Sequence, residues 1–453
     1  MISNLQIDQA LLILYFIITL CFGLYKKSNY QAYDYLFAGR KLTTPALIAT
    51  LVSTWYGGIL EIGRFTYEYG IITWIIFGLF YYIAAVLYVK YIVSKIIEHK
   101  ISTIPSLFHN FHGKIPAIIA TLCVLLLTTP APYIKILSSL FQYTWAIPIL
   151  WALILSSFLS ILYAFTGGFS SIVRTDKLQF VLMFSGFSLI LCSSFYQYGG
   201  INFLIHNTPE YAFRIPGKLN WTYVLVWSFI ALITFIDPSF YQRTFAGNSL
   251  ESVKKGILLS IFFWIIFDFM TIFTGIYALA ILPINSVNPY LDLSKVVLSP
   301  IGQGLFMVSL FAIVMSTIDS FTFISAITIG KDMPLLFGHK NKNFIYYIRF
   351  GLLFTSISSI VLAYNFEHAI EIWYLVGSFV VPTLLIPIII TLYNIKVKYI
   401  SFLMIFPLMT SFFWYILNQF NLFEDLINQD IANLDPMYPG LIISIILFYI
   451  LKK

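Results

Sequence analysis

Apolar residues recur along this chain in blocks of about twenty, separated by short polar stretches. A helix crossing the hydrocarbon core of a bilayer needs about 20 mostly apolar residues. The pattern therefore predicts thirteen membrane helices, near 7–25, 44–63, 71–93, 116–142, 146–166, 176–196, 220–240, 256–282, 299–329, 344–364, 370–393, 399–418 and 438–451. The blocks at 116–142 and 299–329 are long, so their helices must tilt or run past the membrane. The first block is preceded by no basic residue and followed directly by Lys26 and Lys27, the reverse of a secretory leader, and it reads as a membrane helix. The widest polar gaps, 197–219 and 419–437, leave no room for a soluble catalytic or signalling module. The expected class is an all-α polytopic membrane protein.

Composition sharpens this reading. Of 453 residues, 60% are hydrophobic and 10% charged, against about 25% charged in soluble domains, which excludes a soluble enzyme. Cys21, Cys123 and Cys192 all fall in apolar blocks and offer neither a disulfide framework nor metal-ligand spacing. His109 and His112, near Lys114, lack a third ligand and read as a solvated inner surface. The net charge of +7 matters less than its distribution. With the amino terminus outside and thirteen alternating helices, 21 of the 26 basic residues fall on the cytoplasmic side, from Lys26 and Lys27 to Lys452 and Lys453. Arg64, Arg214, Lys218 and Lys295 fall outside, and Lys135 lies within a span. The last outer loop holds Glu424, Asp425, Asp430 and Asp435 but no basic residue. The expected orientation is amino terminus out and carboxyl terminus in, in a plasma (inner) membrane.

Ionisable groups inside spans cost several kcal/mol unless they face protein or water, which makes each a functional candidate. The second span reads Ser53-Thr54-Trp55-Tyr56-Gly57-Gly58, followed by Glu61 and Arg64. Paired glycines weaken a helix, and a broken helix exposes carbonyls and amides that bind ions or solutes at mid-membrane depth; close packing through small residues is the other reading. Glu61 and Arg64, three apart, share a helix face and either neutralise each other or meet a charged solute. The ninth span carries Ser316-Thr317-Ile318-Asp319-Ser320, an oxygen-rich cluster suited to a hard cation. Hydroxyls bonding back to their own helix would explain the serines and threonine but not the carboxylate. Asp176 opens the sixth span, where an acidic residue suits the helix dipole. Asp237-Pro238 with Gln242-Arg243 marks the inner end of the seventh, with Arg243 as a gate or topology charge. Lys135 follows Pro130 and Pro132, and Asp268 has no assignable partner.

These motifs resemble the sodium:solute symporter family. The matching stretches are Tyr35-Leu36-Phe37-Ala38-Gly39-Arg40, Ser53-Thr54-Trp55-Tyr56-Gly57-Gly58, Gly167-Gly168 with Thr175-Asp176 and Gln179, Gln242-Arg243, Ser316-Thr317-Ile318-Asp319-Ser320 and Asp332, in that order from about 33 to 390. The resemblance implies a leucine-transporter-type fold of two inverted five-helix repeats: 31–200 and 201–395, with a peripheral first helix (1–30) and two peripheral C-terminal helices (396–453). It implies a secondary active transporter that couples a sodium ion to a small organic solute by alternating access. The principal sodium site would use the carbonyls of Val52, Trp55 and Ile313 with the hydroxyls of Ser316 and Thr317. A second sodium would use Asp176, Asp319 and Ser320. Solute contacts are expected from Thr54, Tyr56, Gly57, Gly58, Glu61, Lys135, Trp227, Trp373 and Tyr374, and gating from Arg64, Asp237, Gln242 and Arg243. Proline-carrier members have an acidic residue where this chain has Thr54, and Glu61 has no counterpart, so the solute is left open between an amino acid and another small charged or zwitterionic metabolite. Expected partners are the solute and the lipid bilayer, with no nucleic acid, and the chain acts as a monomer. Two rivals are a transporter-derived sensor, which would need a separate signalling partner, and an intramembrane enzyme, for which no span holds a histidine or a nucleophile–base pair.

Overall fold

The computed structural model describes residues 4–25, 32–283, 285–338, 344–365, 369–420 and 434–452. Lys26, Lys27, Lys340, Lys342, Lys453, Glu424, Asp425 and Asp430, used above for topology, lie outside them. The described residues form helices and turns, with no strand beyond two isolated bridges. Ten helices are long and apolar enough to cross a membrane, and a bent pair, Thr44–Trp55 with Ile59–Tyr69, makes an eleventh. Met437–Leu451 is apolar but shorter.

The long block at 116–142 is one span, Lys114–Trp145, bent into two helical pieces, Lys114–Leu127 and Ala131–Trp145, at Thr128–Pro130, because Pro130 and Pro132 interrupt the backbone ladder. The blocks at 146–166 and 176–196 are two helices that follow one another within Ile149–Tyr198, parted at Gly168, whose backbone is not helical. Gly168 sits at φ 58°, and a Cβ there would meet the Tyr35 carbonyl oxygen at 2.4 Å, so this bend requires glycine. The seventh span runs on to Ala246 as three pieces: Trp221–Ile230, a 3₁₀ turn at Ala231–Phe235, and Pro238–Ala246.

The centre of the molecule is the helix Pro300–Ile327. Ser299 caps it by accepting the Gly302 amide at 3.3 Å, and Pro300 sits where its missing N–H is not needed. It is almost wholly buried, as expected of an element surrounded by other helices. Small residues bring the neighbours close: Gly186 faces Ser309 across the contact with Ile149–Tyr198, and Gly256 on Leu250–Ile281 receives Leu47 of the bent pair.

Candidate functional site

The bent pair and Pro300–Ile327 meet at the middle of the structure. Thr44–Trp55 stops at Trp55, three residues intervene, and Ile59–Tyr69 leaves at 59°. A helix ending at Trp55 leaves the carbonyls of Val52, Ser53, Thr54 and Trp55 without helical partners, and its carboxyl end carries partial negative charge. Both glycines of the break are needed for close approach. A Cβ on Gly57 would lie 2.6 Å from the Thr317 side chain, and one on Gly58 would lie 1.9 Å from the Trp373 ring. The break and the packing, posed above as alternatives, are two aspects of one arrangement.

Around these carbonyls the hydroxyls of the central helix gather. Thr317 Oγ1 donates to the Thr54 carbonyl at 2.8 Å and lies 3.5 Å from that of Ile313. Ser316 Oγ donates to Asp176 Oδ1 at 2.6 Å and stands 2.9 Å from Ser53 Oγ. Thr50 donates to the other Asp176 oxygen. Residues separated by up to 263 positions thus form one buried set of oxygens around the helix end.

Arg243, read above as a gate or topology charge at the inner end of its span, is packed among other side chains. It is 1% exposed, and its guanidinium lies inside the cluster. Its Nη2 donates to Thr54 Oγ1 at 2.7 Å, Ser320 Oγ at 2.9 Å and Thr50 Oγ1 at 3.0 Å, and stands 4.0 Å from Asp176 Oδ2. The helix resumes at Pro238 after the break at Ile236–Asp237, so Arg243 sits in its buried second turn, near the end of the span Trp221–Ala246. Gln242 is also buried and donates to the Leu36 carbonyl at 3.2 Å, tying the 35–40 motif to this helix. Asp319 accepts the hydroxyl of Tyr163, and Asp176 is engaged by Ser316 and Thr50.

Next to this cluster lies a cavity of about 170 Å³. Thr54, Trp55, Tyr56 and Gly58 from the first break and Asp237 to Phe240 from the second both line it. Trp227 and Trp373 form further walls, as expected, and Asp268 and Tyr133 join them. Thr54 belongs to both regions: it lines the cavity, its carbonyl accepts from Thr317 and its hydroxyl accepts from Arg243. Asp237 stands at the cavity wall, where its Oδ1 accepts the Ser239 amide at 2.6 Å. Lys135, Tyr374, Gly57 and Glu61 are not among the lining residues. Glu61 pairs with Arg64 at 2.7 Å, the self-neutralising alternative. Thr50, Tyr163 and Tyr82 had drawn no attention in the sequence, because a lone hydroxyl in an apolar block carries no signal of its own.

The comparisons with known proteins agree with this architecture. The chain is 24% identical to a sodium/pantothenate symporter of Haemophilus influenzae over 50% of its length and 49% of the relative's, and 25% identical to a sodium/glucose cotransporter of Vibrio parahaemolyticus over 61% and 55%. These alignments span about half of each relative. With a sodium/proline symporter of Staphylococcus aureus the identity is 24% over 78% of this chain and 74% of that one. Among solved structures, a Na⁺-coupled sialic acid symporter in a substrate-bound outward-open state superposes with a TM-score of 0.74 at 17% identity, covering 97% of this chain and 96% of that one. A transporter of the nucleobase-cation-symport-1 family in a closed conformation gives 0.58 at 10%, covering 91% and 92%. This chain therefore has the fold of these membrane transporters. The sodium:solute symporter profile matches residues 35–400, and the protein is a member of the sodium:solute symporter family.

Proposed function

We propose that this protein is a sodium-coupled symporter that carries a small organic solute into the cytoplasm by alternating access. The observation that supports this most is the double role of Thr54, which joins the oxygen cluster to the cavity wall. A cation held by the carbonyls of Val52 and Trp55, the carbonyl of Ile313 and the hydroxyls of Ser316 and Thr317 would fix the end of Thr44–Trp55 against Pro300–Ile327. The donor set fits a hard monovalent cation, being all oxygen. Fixing that end shapes the cavity beside it, so ion and solute bind together. The repeats then rock about the two breaks and release both inward, with the buried Arg243, Gln242 and Asp237 moving at the second break and Arg64 at the outer end of the first. One charge crossing 100 mV contributes about 2.3 kcal/mol and a tenfold sodium gradient about 1.4, enough to concentrate a neutral solute several hundred-fold.

The two breaks also support the inverted-repeat reading of 31–200 and 201–395. Each proposed repeat opens with a spanning helix interrupted at mid-length, at Tyr56–Gly58 in the first and at Ile236–Asp237 in the second. Thirteen crossings follow when Ile149–Tyr198 is divided at its kink and the short helix Met437–Leu451 is included. At 1.5 Å per residue, 50 residues extend about 75 Å, more than twice the roughly 30 Å hydrocarbon core. With the basic residues inside, the amino terminus is out and the carboxyl terminus in, in the plasma membrane. One chain holds the whole site, so a monomer suffices.

The test is transport by the purified chain in proteoliposomes given a metabolite mixture. An inward sodium gradient drives accumulation of one solute or solute class, and an equal potassium gradient drives none. Accumulation that is the same under both gradients, or absent under both, contradicts the proposal.

A further inference from the structure

The cavity wall is unbalanced in charge. Two carboxylates, Asp237 and Asp268, line it, and no lysine, arginine or histidine does. Asp237 is engaged as the cap of Pro238–Ala246. Asp268 accepts the hydroxyl of Tyr82, and among the described residues no ion pair reaches it. Room for it is built into the opposite wall. The turn Ile75–Leu79 is π-helical, and Gly78 within it stands so close that a Cβ would lie 2.8 Å from Asp268 Oδ2. Insertions of this kind re-aim side chains and concentrate at functional sites. A carboxylate taken out of water without a cation is costly, and the neutral hydroxyls of Tyr82 and Tyr56 beside Asp268 supply hydrogen bonds but no opposite charge.

The remaining wall is largely apolar, and among its aliphatic side chains stand the indoles of Trp55, Trp227 and Trp373. Ring faces attract cations, and more strongly when both partners are out of water. A carboxylate and indole faces without a basic side chain match an organic cation and repel a free carboxylate. Resting on the symport reading, we infer that the solute is a small organic ammonium ion, with Asp268 as its counter-ion and the three indoles as its cage. A cavity of about 150 Å³ holds benzene, so about 170 Å³ admits a cation of roughly six to ten non-hydrogen atoms.

The test compares cations with neutral molecules of the same shape. The purified full chain is titrated, in saturating sodium, with choline, tetramethylammonium and ethanolamine and with neutral isosteres such as 3,3-dimethylbutan-1-ol for choline, and binding is read from the thermal transition. At least one ammonium ion binds tenfold or more tightly than its isostere. Asp268→Asn reduces that ratio to near one, and Asp268→Glu keeps part of it. Equal binding of cation and isostere, a ratio unchanged in Asp268→Asn, or a panel in which glucose or proline binds and no ammonium ion does overturns the inference. A panel in which nothing binds overturns it as well. The wild-type response to sodium against potassium, read in the same assay, separates this from failure of the symport reading: a sodium-specific shift without cation preference leaves symport standing, whereas no sodium-specific shift removes both.

Discussion

Asp176 and Asp268 are both carboxylates buried in the transmembrane region, and the structure treats them in opposite ways. Asp176 lies 4.0 Å from the guanidinium of Arg243 and accepts hydrogen bonds from the hydroxyls of Ser316 and Thr50. Asp268 meets Tyr82 and the cavity, with no cation beside it. The first belongs to a region whose charges are balanced by the chain itself, the second to a region whose balance must come from outside. The difference separates the rigid part of the site from the part left for a ligand. It also explains why Arg243 is buried: a guanidinium with several fixed donors holds Thr50, Thr54 and Ser320 in one geometry.

The strongest way to break this comparison is to remove Arg243. Arg243→Ala leaves Asp176 buried without its cation, a loss of about 3–5 kcal/mol that lowers the thermal transition sharply, and adding Asp176→Asn recovers part of it. Asp268→Asn, by contrast, leaves the transition unchanged or raises it; an equal fall in both variants would erase the distinction. A smaller effect is expected at the break. Gly58→Ala drives a methyl into the Trp373 ring, overpacking that costs about 1–3 kcal/mol and shifts tryptophan emission. Thr317→Ala removes one hydroxyl from the oxygen set and raises the sodium concentration for half-maximal uptake about tenfold, equivalent to about 1.4 kcal/mol. The smallest effect belongs to Glu61→Gln. Its partner Arg64 is 36% exposed, the pair is worth at most about 1 kcal/mol, and uptake is unchanged; a large loss of uptake would place Glu61 back on the solute path.

The sequence made the first break legible and hid the second for a physical reason. Gly57-Gly58 interrupts an apolar block that continues on both sides, so the interruption is visible. Asp237-Pro238 is followed by Gln242 and Arg243, and a polar stretch after an apolar one reads as a span leaving the membrane. Burial among the hydroxyls of Thr50, Thr54 and Ser320, which no local pattern encodes, is what keeps that segment inside. The same limit applies to Asp268, whose partner Tyr82 lies 186 residues away. Hydropathy marked where helices lie, including the two parted at Gly168, and Pro130 and Pro132 marked the kink within the span Lys114–Trp145. Lys135, a charge within a span that could snorkel or face the solute path, is not among the residues that line this cavity.

The central claim is that a sodium ion binds between the end of Thr44–Trp55 and the hydroxyls of Ser316 and Thr317. Trp55 stands at that helix end with its ring in the cavity wall, so its fluorescence reports on the site directly. Titrating the purified protein with sodium should give a saturable change in emission that potassium does not produce, that disappears in Trp55→Phe, and whose midpoint moves at least tenfold in Thr317→Ala. Identical responses to sodium and potassium, or a midpoint that stays in place when the Thr317 hydroxyl is removed, would contradict it.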